Sequence, residues 1–205
     1  MIGERPPVTA NLILPILIKP TLKKIEIQSD EAAMEIKIAL LRAESAFPGL
    51  ILEMITKLTR HIDPNLDMTK ALLSLQGSVS DSEEYKSDRK ENLFVELNRR
   101  ASTLKKILSR IPNEISDRKI FLETIKEVAS AIKKLLDCLT DIISRTESSQ
   151  RKQALEDRKR DFIKCSKRFS NKLKEFFKEG QVQSVFVSAA HLINQTYAIQ
   201  LTIKS

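Results

Sequence analysis

From Phe121 to Ile142 the chain places an apolar residue at alternating steps of four and three without a break: Phe121, Ile125, Val128, Ile132, Leu135, Leu139 and Ile142. A strand needs a period of two and a surface loop needs none, so only a long helix keeps these side chains on one side. The 4-3 step is also the seam by which one helix lies along another, and such a helix is stable only beside partners with seams of their own. Those partners stand on either side in the sequence. Phe94, Leu97, Ala101, Leu104, Leu108 and Ile111 form one stripe, which Pro112 is expected to end before Ser116-Asp117 opens the next helix. Leu155, Phe162, Phe169, Leu173 and Phe176 form another that stops at Gly180, and Val185, Ala189, Leu192, Ile193 and Ile199 form the last. Four such helices with short connections predict an up-and-down four-helix bundle over residues 93–205. With 30% charged residues, 5% aromatics, no Trp and four Gly in 205 residues, the balance favours helices over a turn-rich all-β fold and the chain reads as all-α.

The first third is patterned differently. Pro15 and Pro20 break or bend an apolar run, and Ser29-Asp30-Glu31 is a good helix start because a side-chain oxygen can accept from an orphan amide. A helix through Met34, Ile38 and Leu41 stops at Phe47-Pro48-Gly49, and one with Ile51, Met54, Ile55 and Leu58 ends near Pro64. A further helix opens at Asp67, carries Met68, Ala71, Leu72 and Leu75, and closes at Gly77, a residue suited to a left-handed cap. These helices are short and apolar on more than one face, Ile36-Lys-Ile-Ala-Leu-Leu41 most clearly. Either a partner chain completes their core or they close into a compact monomer, and the pattern alone does not choose. Residues 78–92, SVSDSEEYKSDRKEN, have one aliphatic residue among many charges and read as a linker, dividing the chain into 1–77 and 93–205.

Charge follows the same division. Residues 93–205 hold 23 Lys+Arg against 13 Asp+Glu, whereas residues 1–92 hold 12 against 14. The basic part suits an acidic protein segment, an anionic membrane surface or a nucleic acid. Nucleic acid is disfavoured because the Phe residues lie on core stripes and not among the charges. Arg151-Lys152 with Arg158-Lys159-Arg160 reads first as a solvated helix face and second as an attraction for anionic headgroups, phosphoinositides included. Cys138 and Cys165 fall inside helical stripes and read as reduced thiols of a cytoplasmic protein. The longest apolar run, residues 11–18, is too short to span a bilayer and lacks signal-peptide flanks.

Catalysis finds little support. The glycines are isolated, so no phosphate-cradling loop is formed, and neither His61 nor His191 has a His or Cys at metal-ligand spacing. No cofactor or metal is expected, and no carboxylate pair stands out as an acid/base couple. More informative is a second stripe on two of the bundle helices. Leu122, Ala129, Leu136 and Ile143 recur every seven residues, with Lys126 and Lys133 flanking Ala129. Ile163, Ser170 and Phe177 do the same, with Lys167 and Lys174 flanking Ser170. If the two helices are neighbours, the ridges border a shallow apolar groove rimmed by lysines, suited to an amphipathic partner helix with acidic residues. The alternative is that the second stripes only widen the core contact.

Residues 97–137, LNRRASTLKKILSRIPNEISDRKIFLETIKEVASAIKKLLD, closely resemble the programmed cell death protein 10 (cerebral cavernous malformation 3 protein) family. The likeness continues through RKQALE at 151–156, FIKCSKRFS at 162–170, FKEG at 177–180, VFVSA at 185–189 and INQT at 193–196. The spacing from Pro20 to Pro48-Gly49-Leu50 is kept as well. The resemblance implies a helical N-terminal dimerisation domain followed by a bundle like the focal adhesion targeting domain. It implies a non-catalytic adaptor that forms homodimers or heterodimers with germinal centre group III kinases. Its bundle would bind striatin, a malcavernin-like scaffold, and leucine-aspartate motif proteins such as paxillin, with peripheral association at the Golgi and plasma membrane. The family's basic groove positions match Lys126, Ala129, Lys133, Lys167, Ser170 and Lys174, which the stripes also select, and Leu122, Leu136 and Ile163 complete that groove. The positions matching the family's dimer interface are Ile36, Ala39, Leu58 and Thr59, the last standing where the family has a larger apolar residue.

Overall fold

The structure, a computed structural model, describes residues 7–79 and 92–204. Their regular structure is all helical, with turns between the helices and no strand among the described residues. In chain order the helices are α1 (Val8–Ile13), a π-helical turn (Leu14–Ile18), α2 (Lys19–Glu26), α3 (Asp30–Ala46), α4 (Leu50–Arg60) and α5 (Met68–Leu75). The long helices α6 (Asn92–Glu114), α7 (Arg118–Ser144), α8 (Ser149–Glu179) and α9 (Val182–Lys204) follow. Of the linker expected over 78–92, residues 80–91 lie outside the described residues.

Local chemistry sets the starts. Ser29 Oγ accepts from Ala32 N at 3.2 Å, Asp67 Oδ1 from Lys70 N at 3.1 Å, and Asp117 Oδ1 from Lys119 N and Ile120 N at 2.9 and 3.1 Å. Each satisfies amides that the first turn leaves orphaned. At the other end, Gly180 closes α8 in the left-handed region at φ 73°, where a side chain would be strained.

Three sequence readings need correction. Pro112 does not end α6, which runs on to Glu114. The proline costs one backbone bond through its missing N–H, and it is buried near the end of the helix. Gly77 is not a left-handed cap, since the positive-φ glycines are Gly49 and Gly180. It lies instead at a close approach: a Cβ on Gly77 would stand 2.5 Å from Ser109 Oγ on α6, so that hydroxyl would have to turn aside. Neither Pro15 nor Pro20 breaks the first apolar run, which stays helical from Val8 to Glu26; Pro15 falls in a π-helical turn between α1 and α2.

The four long helices form an antiparallel ring in which α6 packs on α7, α7 on α8, α8 on α9 and α9 on α6. The α6–α7 and α8–α9 pairs pack closely, while α7 and α8 touch sparingly. The seam residues fill the centre: Leu97, Leu104, Phe121, Leu135, Leu139, Phe162 and Ile193 are fully buried. Arg110 ties α6 to α7, its guanidinium donating to Glu114 at 2.8 Å and Glu127 at 2.7 Å; these two carboxylates hold its pKa above the usual arginine value.

The N-terminal helices are not a globule of their own. α1 packs against α9, α5 and α4, and α5 packs against α6 and α9. Leu12, Ile13, Leu72 and Leu73 are fully buried and join the same continuous core as the bundle seams. By contrast α3 packs chiefly on α2 and α4, and only Ala33 among its residues is buried.

Candidate functional site

The antiparallel run of α7 and α8 brings the two second stripes together. Counting along both helices, Leu122 falls opposite Phe177, Ala129 opposite Ser170, and Leu136 opposite Ile163. Because α7 and α8 touch sparingly, and because the residues at mid-length are small, a shallow depression opens between them. Its volume is about 480 Å³, and its walls are Ala129, Ile132 and Leu136 on α7 with Ile163, Ser166, Lys167, Ser170, Asn171 and Lys174 on α8. Leu122, Lys126 and Lys133 stand exposed on α7 beyond that wall. At the far end Phe177 is exposed as well, its ring centre 6.0 Å from that of Phe121.

The rim lysines are not equivalent. Lys126 is held by Glu123 at 2.9 Å, one turn back on its own helix, and both side chains are well exposed. Lys133, Lys167 and Lys174 form no ion pair among the described residues and all three are exposed; Lys167 and Lys174 line the depression, whereas Lys133 stands outside it. Ser170 donates to the Ser166 carbonyl at 3.1 Å, which keeps its hydroxyl folded against the helix and the floor of the groove low. Ile143, the last member of the α7 stripe, is buried in the core, so the alternative of a widened core contact holds for that residue.

Ser166 and Asn171 also line the depression, and no apolar stripe could have flagged them. They lie three or four residues from Ile163, Lys167, Ser170 or Lys174, so a helical projection of α8 finds them on that face. Ile132 was placed on the main seam by its spacing; it is half-buried and serves both seam and groove.

A second apolar surface lies on α3 and α4. Successive helix residues turn by about 100°, so α3 carries two separate stripes. Met34, Ile38 and Leu41 make one; Ala32, Ile36, Ala39 and Ala43 make the other. On α4, Leu50, Met54 and Leu58 form an exposed ridge, with Leu58 58% exposed. Ile36 and Ala39 are exposed, whereas Thr59 is half-buried, its hydroxyl donating to the Ile55 carbonyl at 2.9 Å. The turn between the two helices is braced by Glu44, whose carboxylate accepts from Gly49 N at 2.6 Å and Ile51 N at 3.0 Å.

Residues 6–65 match the family domain described as "Programmed cell death protein 10, dimerisation domain", and residues 66–156 match "Programmed cell death protein 10, C-terminal". The programmed cell death protein 10 homolog of Caenorhabditis elegans is 35% identical over 194 residues, covering 91% of this chain and 90% of the relative. The chain belongs to the programmed cell death protein 10 family. The family's dimerisation domain thus spans α1 to α4, the stretch that leaves α3 and α4 uncovered, and it supports self-association of this chain. The boundary falls ahead of α5, which packs on α6 and α9.

Of the remaining basic cluster, two arginines tie α8 to α9, one pairs within α8, Lys152 is exposed and Lys159 is half-buried. Arg151 donates to the Ile203 carbonyl, Arg158 Nε to Thr202 Oγ1 at 3.1 Å, and Arg160 lies 3.3 Å from Asp157. Both thiols have their pKa raised, by burial above all, and are poor nucleophiles at neutral pH. No described helix is long and apolar enough to cross a membrane.

Proposed function

We propose that this protein is a non-catalytic adaptor that dimerises through α3 and α4 and receives an acidic, leucine-bearing amphipathic helix in the groove between α7 and α8. The single observation that supports the groove is that Ala129 and Ser170 line one depression, with Leu136 and Ile163 beside them and the lysines of α8 on its edge. Two or three leucines entering it would contribute ~1.5–3 kcal/mol each before association costs. The unpaired lysines would steer encounter and fix orientation. On this reading the dimer face serves self-association or pairing with the tail of a germinal centre group III kinase. The groove takes helices of the kind found in leucine-aspartate motif proteins such as paxillin, in striatin or in a malcavernin-like scaffold.

The test is Lys133→Asp with Lys174→Asp in the full chain. Affinity for an acidic leucine-rich helical peptide should fall at least tenfold with the circular dichroism spectrum unchanged. Unaltered affinity in a folded double variant removes the groove from the account. Flotation with phosphoinositide-containing vesicles separates this reading from a lipid-binding one, because peptide capture needs no anionic lipid.

A further inference from the structure

At the junction of α5 with α6 and α9, five polar side chains meet inside the molecule. Tyr197 Oη on α9 donates to Oε1 of Gln76, the residue that closes α5, at 2.8 Å. Lys105 Nζ on α6 donates to Gln200 Oε1 on α9 at 3.0 Å and stands 4.0 Å from the centre of the Tyr197 ring. Gln200 Nε2 donates in turn to Asn98 Oδ1 on α6 at 2.9 Å. Gln76, Lys105 and Gln200 are each 1% exposed. Beside them Gly77 lies close to Ser109, whose hydroxyl would have to turn aside for a Cβ at position 77.

Adhesion alone does not call for such a cluster. Aliphatic residues of the same bulk would hold these helices together at least as well, because withdrawing an ammonium and two amides from water is costly. Directional groups add selectivity of position. An apolar contact tolerates a slide of one turn, about 5.4 Å, whereas a slide of that size here would break the bond between Gln76 and Tyr197 and lift Gly77 off Ser109. α5 and α9 are in turn the helices outside the dimerisation domain on which α1 lies. Asp67, at the start of α5, is also within 3.4 Å of Gln183 Nε2 on α9.

We propose that this cluster is an orientation lock. It holds α5 in one position on the bundle, and through the seat of α1 it fixes the dimerisation domain relative to the α7–α8 face. A dimer so built displays its two bundles at a set separation and does not carry them on a loose tether. The inference rests on the α5–α6–α9 contacts and stands whether or not the groove binds a helix.

The experiment uses the full chain with Cys138→Ala and Cys165→Ser. Spin labels are placed at the exposed positions Arg42 on α3 and Lys152 on α8, and labelled protein is diluted in unlabelled protein so that only distances within one chain are read. Electron–electron resonance should give one narrow distance distribution. Tyr197→Phe keeps the ring under Lys105 and removes only the hydroxyl that reaches Gln76. It should broaden the distribution at least twofold and speed amide exchange in α5 about five- to tenfold, leaving α7 and α8 as protected as before. Gln76→Leu, which alters the lock from the α5 side, should do the same, and it decides the matter should Tyr197→Phe fail to fold. A distribution that is already broad in the unmutated chain overturns the proposal. So does one that stays narrow, with α5 exchange unchanged, in a folded variant.

Discussion

Leu58→Asp tests the dimer face where the structure leaves most to be covered. In a single chain Leu58 is 58% exposed on the α4 ridge. Full burial of a leucine is worth ~1.5–3 kcal/mol, so covering the remaining part yields roughly 1–1.5 kcal/mol. A two-fold dimer counts that gain twice, once for each protomer, which makes ~2–3 kcal/mol. Aspartate forfeits this gain and must in addition be desolvated twice without a partner, a penalty of at least ~1–2 kcal/mol more. The total, ~3–5 kcal/mol, raises the dimer dissociation constant by about 100- to 5,000-fold. Sedimentation velocity across a dilution series reads it directly. The control is Val95→Asp, because Val95 on α6 is also 58% exposed but lies outside α3 and α4. A dissociation constant within about threefold of the parent for Leu58→Asp, or an equal loss for Val95→Asp, would refute the reasoning.

Glu44→Ala removes both acceptors at the α3–α4 turn and leaves two amides at the start of α4 without partners. Equilibrium urea unfolding should show a loss of ~1–2 kcal/mol, and dimerisation should weaken with it because the brace sets the angle of the two faces. His191 is half-buried on α9, and burial first and Arg168 second hold its pKa below the usual imidazole value. The unfolded chain therefore binds this proton more readily, so stability is full above the ordinary histidine pKa and declines as pH falls through it. His191→Asn should flatten the decline in melting temperature between about pH 7.5 and 5.5; an identical slope in the variant would contradict the assignment.

Which parts of the molecule were legible follows from what a stripe can report. The seams of α6 to α9 were readable because Phe121, Leu135 and Phe162 sit at positions that only burial explains, and all three are buried. Ala129 and Ser170 were readable for a subtler reason: a small residue between two lysines on an apolar ridge leaves a gap that neither core nor solvent requires. Lys105 was missed because lysine is read as solvated wherever it falls. Yet it stands four residues after Ala101 and three before Leu108, on the α6 seam, and that placement was the available signal. Gly77 was assigned the wrong role because sequence reveals that a glycine is present without telling whether φ or proximity demands it.

The contrast between α3 and α9 carries the argument for a partner furthest. Neither helix has one polar and one apolar side. α9 buries residues around most of its circumference, from Val185 and Phe186 through Ala190, Thr196 and Gln200 to Ile203, because α1, α5, α6 and α8 surround it. α3 carries Met34, Ile36, Ile38 and Leu41 in the open and has α2 and α4 as its chief neighbours. A helix patterned on all sides is stable only when it is enclosed. For α9 the enclosure comes from the same chain. For α3 no further helix among the described residues is placed to supply it, and on the proposed reading the enclosure comes from a second molecule. The same logic gives the decisive observation. Diluted below the dimer dissociation constant, the chain should lose amide protection in α3 while α9 keeps its own. If α3 stays as protected in the monomer as in the dimer, its open faces need no covering.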